Sequence, residues 1–164
     1  MKFITQILIL LISLFSFSQD SMADLLRKHN NKSVPYMSVQ ELAMPKTKAI
    51  ILDARELKEY ETSHIKNAVH VGYDYFNIKT VSEIINNKDE QIVVYCSLGI
   101  RSEDIAEKLK KAGYNNIFNL YGGIFEWKNN EYLLFNSEEI ETENVHAFTK
   151  EWSNWLKKGI KIYE

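Results

Sequence analysis

The run Ile92-Val93-Val94-Tyr95, passing without a polar residue into Cys96, constrains this chain more than any other stretch. Four consecutive apolar residues suit a strand covered on both faces, the situation found in the parallel sheets of α/β proteins. Ala49-Ile50-Ile51-Leu52, closed by Asp53, repeats the pattern earlier in the chain. Helical segments are predicted between and after these runs. Ser38-Val39-Gln40-Glu41 has capping-box spacing, with the helix ending near Pro45. Glu56 to Tyr60 reads as a short helix, Ala68 to Val71 as a strand, and Val81 to Ile85 as a helical turn or two. From Arg101 to Ala112, Ile105, Ala106, Leu109 and Ala112 form one helical face, and Gly113 is the C-terminal cap. Asn116 to Leu120 reads as a further strand, Gly122-Gly123 as a break, and Ile124 to Lys128 as a short helix. This alternation predicts an α/β fold with a small central, mostly parallel sheet flanked by helices and joined by right-handed crossovers.

The residues after the second run give it chemical meaning. In Cys96-Ser97-Leu98-Gly99-Ile100-Arg101 a buried strand ends in a cysteine, and a helix begins about five residues later. Open α/β sheets bind ligands at the C-terminal ends of their strands, beside helix N-termini. The unpaired amides there, the helix dipole and the Arg101 guanidinium all favour a negatively charged sulfur, the nucleophilic form of cysteine. Gly99 permits the positive φ that curls successive N–H groups around an anion. Cys96 and Arg101 are therefore the candidate catalytic residues, with Ser97, Leu98, Gly99 and Ile100 as the substrate-binding loop. A merely buried strand cysteine is the plainer alternative; the glycine, the arginine and the helix start stand against it. Arg101 is expected to orient the loop and add positive charge, with pairing to a carboxylate such as Glu103 as the competing role.

Three ordered segments resemble the rhodanese homology family over roughly residues 35–130. One is Leu52-Asp53-Ala54-Arg55-Glu56 with Tyr60 and His64-Ile65-Lys66-Asn67-Ala68. The second is the Cys96 loop. The third is Ala112-Gly113-Tyr114 followed by Leu120-Tyr121-Gly122-Gly123-Ile124-Phe125-Glu126-Trp127. Ser63 stands where a glycine commonly precedes the histidine, and Lys66-Asn67 replaces a common Pro-Gly pair. The resemblance implies a sulfurtransferase. Cys96 attacks the outer sulfur of a donor such as thiosulfate, polysulfide or a protein persulfide, becomes a persulfide, and passes the sulfur to cyanide or a thiol. It also suggests that Asp53 and Arg55 form an internal ion pair that fixes loops. His64, placed just before a strand, is expected to bond backbone groups and support the site rather than act as a base. No cofactor is implied, and no histidines at metal-ligand spacing point to zinc.

Two rival readings remain. Cysteine phosphatases and arsenate reductases also use a cysteine, a nest and an arginine, but related phosphatases place five residues between the two, whereas Ser97 to Ile100 are four. A non-enzymatic binding or redox-sensing module would use the same scaffold, and the intact Cys96, Gly99 and Arg101 argue against it.

The chain ends divide the remainder of the 164 residues. Residues 1–18, with Lys2 before an apolar run and Ser16-Phe17-Ser18 at its close, read as a secretory signal peptide. Their apolar core of about fifteen residues is short of the roughly 20 that span a bilayer. Export to the periplasm or the exterior follows as an expectation, without stable membrane insertion after cleavage. Cleavage would leave a net charge of −3, which does not invite nucleic acid. A chain with one cysteine makes no internal disulfide, so a thiol in an oxidising compartment needs a use or protection. Residues 19–34 read as a weakly ordered leader with a short helical face at Leu25 and Leu26. Residues 131–164 read as an extension ending in a docked helix, with Phe148, Trp152, Trp155 and Leu156 along one face.

Overall fold

The structure, a computed structural model, describes residues 21–163; the expected signal segment, residues 1–18, lies outside them. Its centre is a five-stranded parallel sheet of β1 (Tyr36–Met37), β2 (Ile50–Asp53), β3 (Val69–His70), β4 (Ile92–Tyr95) and β5 (Ile117–Leu120), in the order β1-β5-β4-β2-β3. The unbroken apolar run is thus the middle strand. Ile92 pairs with Ile50 on one side and Ile117 on the other, and all four β4 residues are buried. Pleating sends Val93 and Tyr95 into a core with Met37, Val39, Leu42 and Phe125. Ile92 and Val94 enter a second core with Val81, Ile105, Leu109 and Tyr114. Two covered faces explain why no polar residue interrupts the run.

Helices α1 (Met22–His29), α2 (Val39–Leu42), α3 (Leu57–Thr62), α4 (Ile78–Ile84), α5 (Arg101–Lys111) and α6 (Gly123–Asn129) are interleaved with the strands. Ser38 Oγ accepts from the Glu41 amide at 3.1 Å to start α2. The helix expected from Val81 begins earlier, at Ile78, because the Asn77 side chain caps it. Gly113, at φ +91°, follows the end of α5 as anticipated. From β2 the chain leaves through α3 toward β3, and from β4 it leaves through α5 toward β5, on the opposite side. The C-terminal ends of β2 and β4 therefore flank a switch point, the crevice where open α/β sheets bind ligands. Asp53 ends one of these strands, and Cys96 follows the other.

Both chain ends depart from expectation. Over its described part, the leader is not weakly ordered: Ser21 and Asp24 form a reciprocal capping box for α1, and Leu25 and Leu26 are buried. Two leucines become an ordered helix because a groove exists to cover them. Among the described residues there is no docked C-terminal helix. Residues 131–163 instead form a hairpin of β6 (Leu134–Phe135) and β7 (Glu141–Thr142), a parallel pair of β8 (Asn144–His146) and β9 (Ile160–Ile162), and a 3-10 turn over Trp152–Trp155. Phe148 takes a left-handed φ of +63° and the Thr149 amide turns back onto Ala147 O, a tight turn after β8 that takes Phe148 out of any helix. The aromatic stripe was a packing pattern without a helix. Leu134, Val145 and Leu156 join the core that holds Val93 and Tyr95, so the extension completes the domain. No helix among the described residues is long and apolar enough to cross a membrane.

Candidate active site

Cys96 sits where the pleat of β4 directs it toward α5, with Ser102 Oγ 3.5 Å from its sulfur. The cysteine is 2% exposed. The Gly99 amide donates to Sγ at 3.1 Å, at a backbone φ of +99° that a residue with a Cβ resists. A Cβ at Gly99 would also lie 3.1 Å from Leu120 O. The loop carbonyls are drawn outward. Cys96 O accepts from the Ile124 amide at 2.9 Å and Ser97 O from the Phe125 amide at 3.1 Å, both in the first turn of α6. Gly99 O accepts from the side-chain amides of Asn119 and Asn30, each at 2.8 Å. In a trans peptide the N–H that follows a carbonyl points the opposite way, so these bonds turn the amides of Ser97, Leu98 and Ile100 to the other side of the loop. Ile100 starts α5 without a side-chain cap, which leaves the helix N-terminus open beside the sulfur.

Arg101 pairs with Glu59, not with Glu103. Its Nη1 donates to Glu59 Oε2 at 2.8 Å and its Nη2 to Oε1 at 2.7 Å, a bidentate fork. Nη2 also reaches Ser97 Oγ at 3.1 Å, and that hydroxyl donates to Glu59 Oε1 at 3.1 Å. The Glu56 amide, at 3.0 Å, completes the set around Glu59. Burial pushes the Glu59 carboxyl upward, but the bonds and charge of Arg101 and the charge of Arg55 outweigh it and hold the group at about 2. Burial opposes the charge of Arg101 in turn, yet Glu59 and the Cys96 sulfur raise it above the ordinary arginine value. Glu103 instead accepts from the Ser33 amide and hydroxyl, both at 3.2 Å.

Asp53 and Arg55 form the expected internal pair, both fully buried. Asp53 Oδ1 accepts from Arg55 Nε at 2.9 Å, and Oδ2 accepts from Arg55 Nη2 at 2.6 Å and from Tyr95 Oη at 2.5 Å. Arg55 Nη2 also donates to Ser63 O at 2.7 Å. The ends of β2 and β4 are thereby locked together. His64 stacks on Tyr60 with ring centroids 4.1 Å apart; its ring nitrogens lie 3.1 Å from Tyr60 O and from Glu139 Oε1. Those contacts anchor the extension to α3 and do not bring the histidine to Cys96. The departures at Ser63 and Asn67 are absorbed locally: Ser63 is extended at φ −170°, and Asn67 takes φ +63°, a conformation asparagine tolerates.

Sequence reasoning did not single out Glu59, Ser102 or Asn119. Glu59 lies on a short helix whose approach to α5 depends on the strand order, and Ser102 and Asn119 meet only across the β4–β5 crossover. Asn119 is fully buried, and its Oδ1 accepts from Ser102 Oγ at 2.7 Å. Asn119→Leu is expected to cost about 2 kcal/mol, because it strips the buried Ser102 hydroxyl of its acceptor and Gly99 O of one of its two donors. Urea unfolding at neutral pH measures this.

A parallel five-stranded sheet with a cysteine loop after its middle strand is the rhodanese architecture. Residues 38–130 match the rhodanese-like domain family, and the chain belongs to it. Among solved structures, it is similar to a rhodanese-related protein from Thermoplasma volcanium, 25% identical with a TM-score of 0.54, over 62% of this chain and 97% of that one. It is also similar in fold to a thiosulfate sulfurtransferase from Pseudomonas aeruginosa, 23% identical with a TM-score of 0.58, over 75% of this chain and 23% of that one. A tRNA uridine(34) hydroxylase from Enterobacter sp. (strain 638) is 35% identical over 82 residues, 48% of this chain and 24% of the relative. The corresponding protein from Onion yellows phytoplasma is 34% identical over 99 residues, 56% of this chain and 32% of the relative. The chain thus spans a quarter to a third of the length of these curated relatives.

Proposed function

We propose that this protein is a sulfurtransferase in which the Cys96 thiolate attacks a sulfane sulfur. One S–S bond forms at Cys96 as the donor's S–S bond breaks, and the donor leaves as sulfite or a thiolate. A thiol or cyanide then takes the outer sulfur and returns Cys96 to the thiolate. The observation that carries this reading is the Gly99 amide on Sγ at 3.1 Å, in a loop whose carbonyls are held away from the sulfur. Preorganised donors of this kind stabilise both the attacking thiolate and the anionic persulfide. Four residues between Cys96 and Arg101 make a cradle smaller than the five-residue phosphatase loop, which favours sulfur over a phosphate ester.

Donor class follows from charge. Ser97, Leu98 and Ile100 bring no cation, and Arg101 is matched by Glu59, so a donor of lower charge, such as a protein persulfide, is preferred over the dianion thiosulfate. From the signal-peptide pattern of residues 1–18 we propose that the activity resides in the periplasm or outside the cell, and cell fractionation tests this. For the chemistry, purified protein incubated with polysulfide should gain the mass of one sulfur atom on Cys96 and form thiocyanate with cyanide. Cys96→Ala should do neither, and aryl phosphates should not be hydrolysed. Unchanged mass with polysulfide and thiosulfate alike would replace this reading with a non-catalytic binding module.

A further inference from the structure

Phe148 lies outside the family match, yet it reaches the site. Its ring centroid is 4.7 Å from Cζ of Arg101, the side chain that holds Glu59 and Ser97. Two features make the residue unusual. Its backbone is left-handed at φ +63°, a conformation that bulky residues avoid and that persists only where the surroundings impose it. The side chain is also 46% exposed, so core burial does not account for an aromatic group there.

The surroundings that impose this are visible. Val145 and Ala147 are fully buried, the Ala147 amide donates to Ile162 O at 2.9 Å, and the Thr149 amide turns back onto Ala147 O at 2.8 Å. The Phe148 amide donates to Nδ1 of His146 at 3.3 Å. The β8–β9 pair thus delivers an aromatic ring to one face of a guanidinium whose edge is already occupied by a carboxylate. Arg101 is left 16% exposed. Glu59 balances its charge, and the ring covers its face by a cation–π contact.

We propose that Phe148 is a specificity-determining residue that withholds the Arg101 charge from incoming anions, so that Cys96 favours donors of lower charge, uncharged before singly charged and singly charged before dianions. An organic persulfide or trisulfide fits that description, and thiosulfate does not. The identity of the natural donor rests on the sulfurtransferase reading. The shielding of Arg101 does not.

The test uses the full chain and two alkylating agents of similar size, neutral iodoacetamide and anionic iodoacetate. The wild type should favour iodoacetamide more strongly than a small free thiol does. Phe148→Gly removes the ring and suits a positive φ, so it should fold at least as well as the wild type. It should shift the reactivity ratio toward iodoacetate by about tenfold, the effect of uncovering one cation at a partly desolvated site, while Phe148→Tyr should keep the wild-type ratio. Equal ratios in wild type and Phe148→Gly, or no reaction of either reagent with either protein, would overturn the proposal. With sulfur donors, kcat/KM for thiosulfate should rise in Phe148→Gly relative to that for an organic trisulfide. If no sulfur is transferred while the alkylation ratio still shifts, the sulfurtransferase reading fails and the shielding stands.

Discussion

Glu59→Gln is expected to destabilise the protein by about 3 kcal/mol at neutral pH, the usual scale for removing one member of a buried ion pair. The glutamine keeps the shape of the side chain but leaves the Arg101 guanidinium, 16% exposed, without a counter-charge. It also loosens the loop, because the carboxylate binds Ser97 Oγ and the Glu56 amide as well. The pH dependence follows from the depressed carboxyl. Glu59 lies at about 2 in the folded protein against an ordinary value of 4.5. Its contribution is therefore fully present above the unfolded value and is lost as pH falls through the folded one. The stability gap between wild type and Glu59→Gln should be constant above about pH 5 and close progressively from 4.5 toward 2. Urea midpoints measured over that range test this, and a gap that stays constant down to pH 2 would refute the assignment. Sulfur-transfer turnover at neutral pH should drop by about tenfold, equivalent to about 1.4 kcal/mol of lost preorganisation.

Gly123→Ala should be at least as damaging. The first turn of α6 approaches the Cys96 loop so closely that an added Cβ would run into Cys96 O and lie 2.8 Å from Ser97 C. Neither neighbour is the flexible end of a side chain. Gly123 also has φ +55°, so strain adds to the clash, and a loss of at least about 3 kcal/mol is expected. That corresponds to a fall in Tm of about 10 °C for a domain of this size. Gly113→Ala is the control: its φ is also positive, at +91°, but nothing lies within 4 Å of the added atom. Its cost should be about 1 kcal/mol. If the two alanines cost the same, the close approach of α6 is not what maintains the loop.

The elements that periodicity described well are those whose burial is simple. Ile92–Tyr95 could be read as a doubly covered strand because every position is apolar, and Arg101–Lys111 as a helix because one face alone carries the apolar residues. The Asp53–Arg55 pair was legible because the family resemblance and its place at a strand end both pointed to it. The extension was misread because Phe148, Trp152, Trp155 and Leu156 have helical spacing, while the pairing of residues 144–146 with 160–162 leaves no local trace. Tertiary contact overrode the local pattern. The leader's helical face at Leu25 and Leu26 was legible, but its order was not, because that comes from the burial of the two leucines against the domain.

By itself, the sequence determined the position of Cys96, the four-residue loop after it and the parallel sheet that presents them. Each rests on neighbours in the chain: an apolar run, a glycine able to take positive φ, and a helix start. Only the tertiary structure decided what surrounds Cys96. Glu59 meets Arg101 across the switch point, Asn119 reaches Gly99 from the adjacent strand, and Phe148 arrives from an extension that periodicity had assigned to a helix. Such contacts depend on strand order and loop closure, which are collective properties of the folded chain and leave no periodic mark on it.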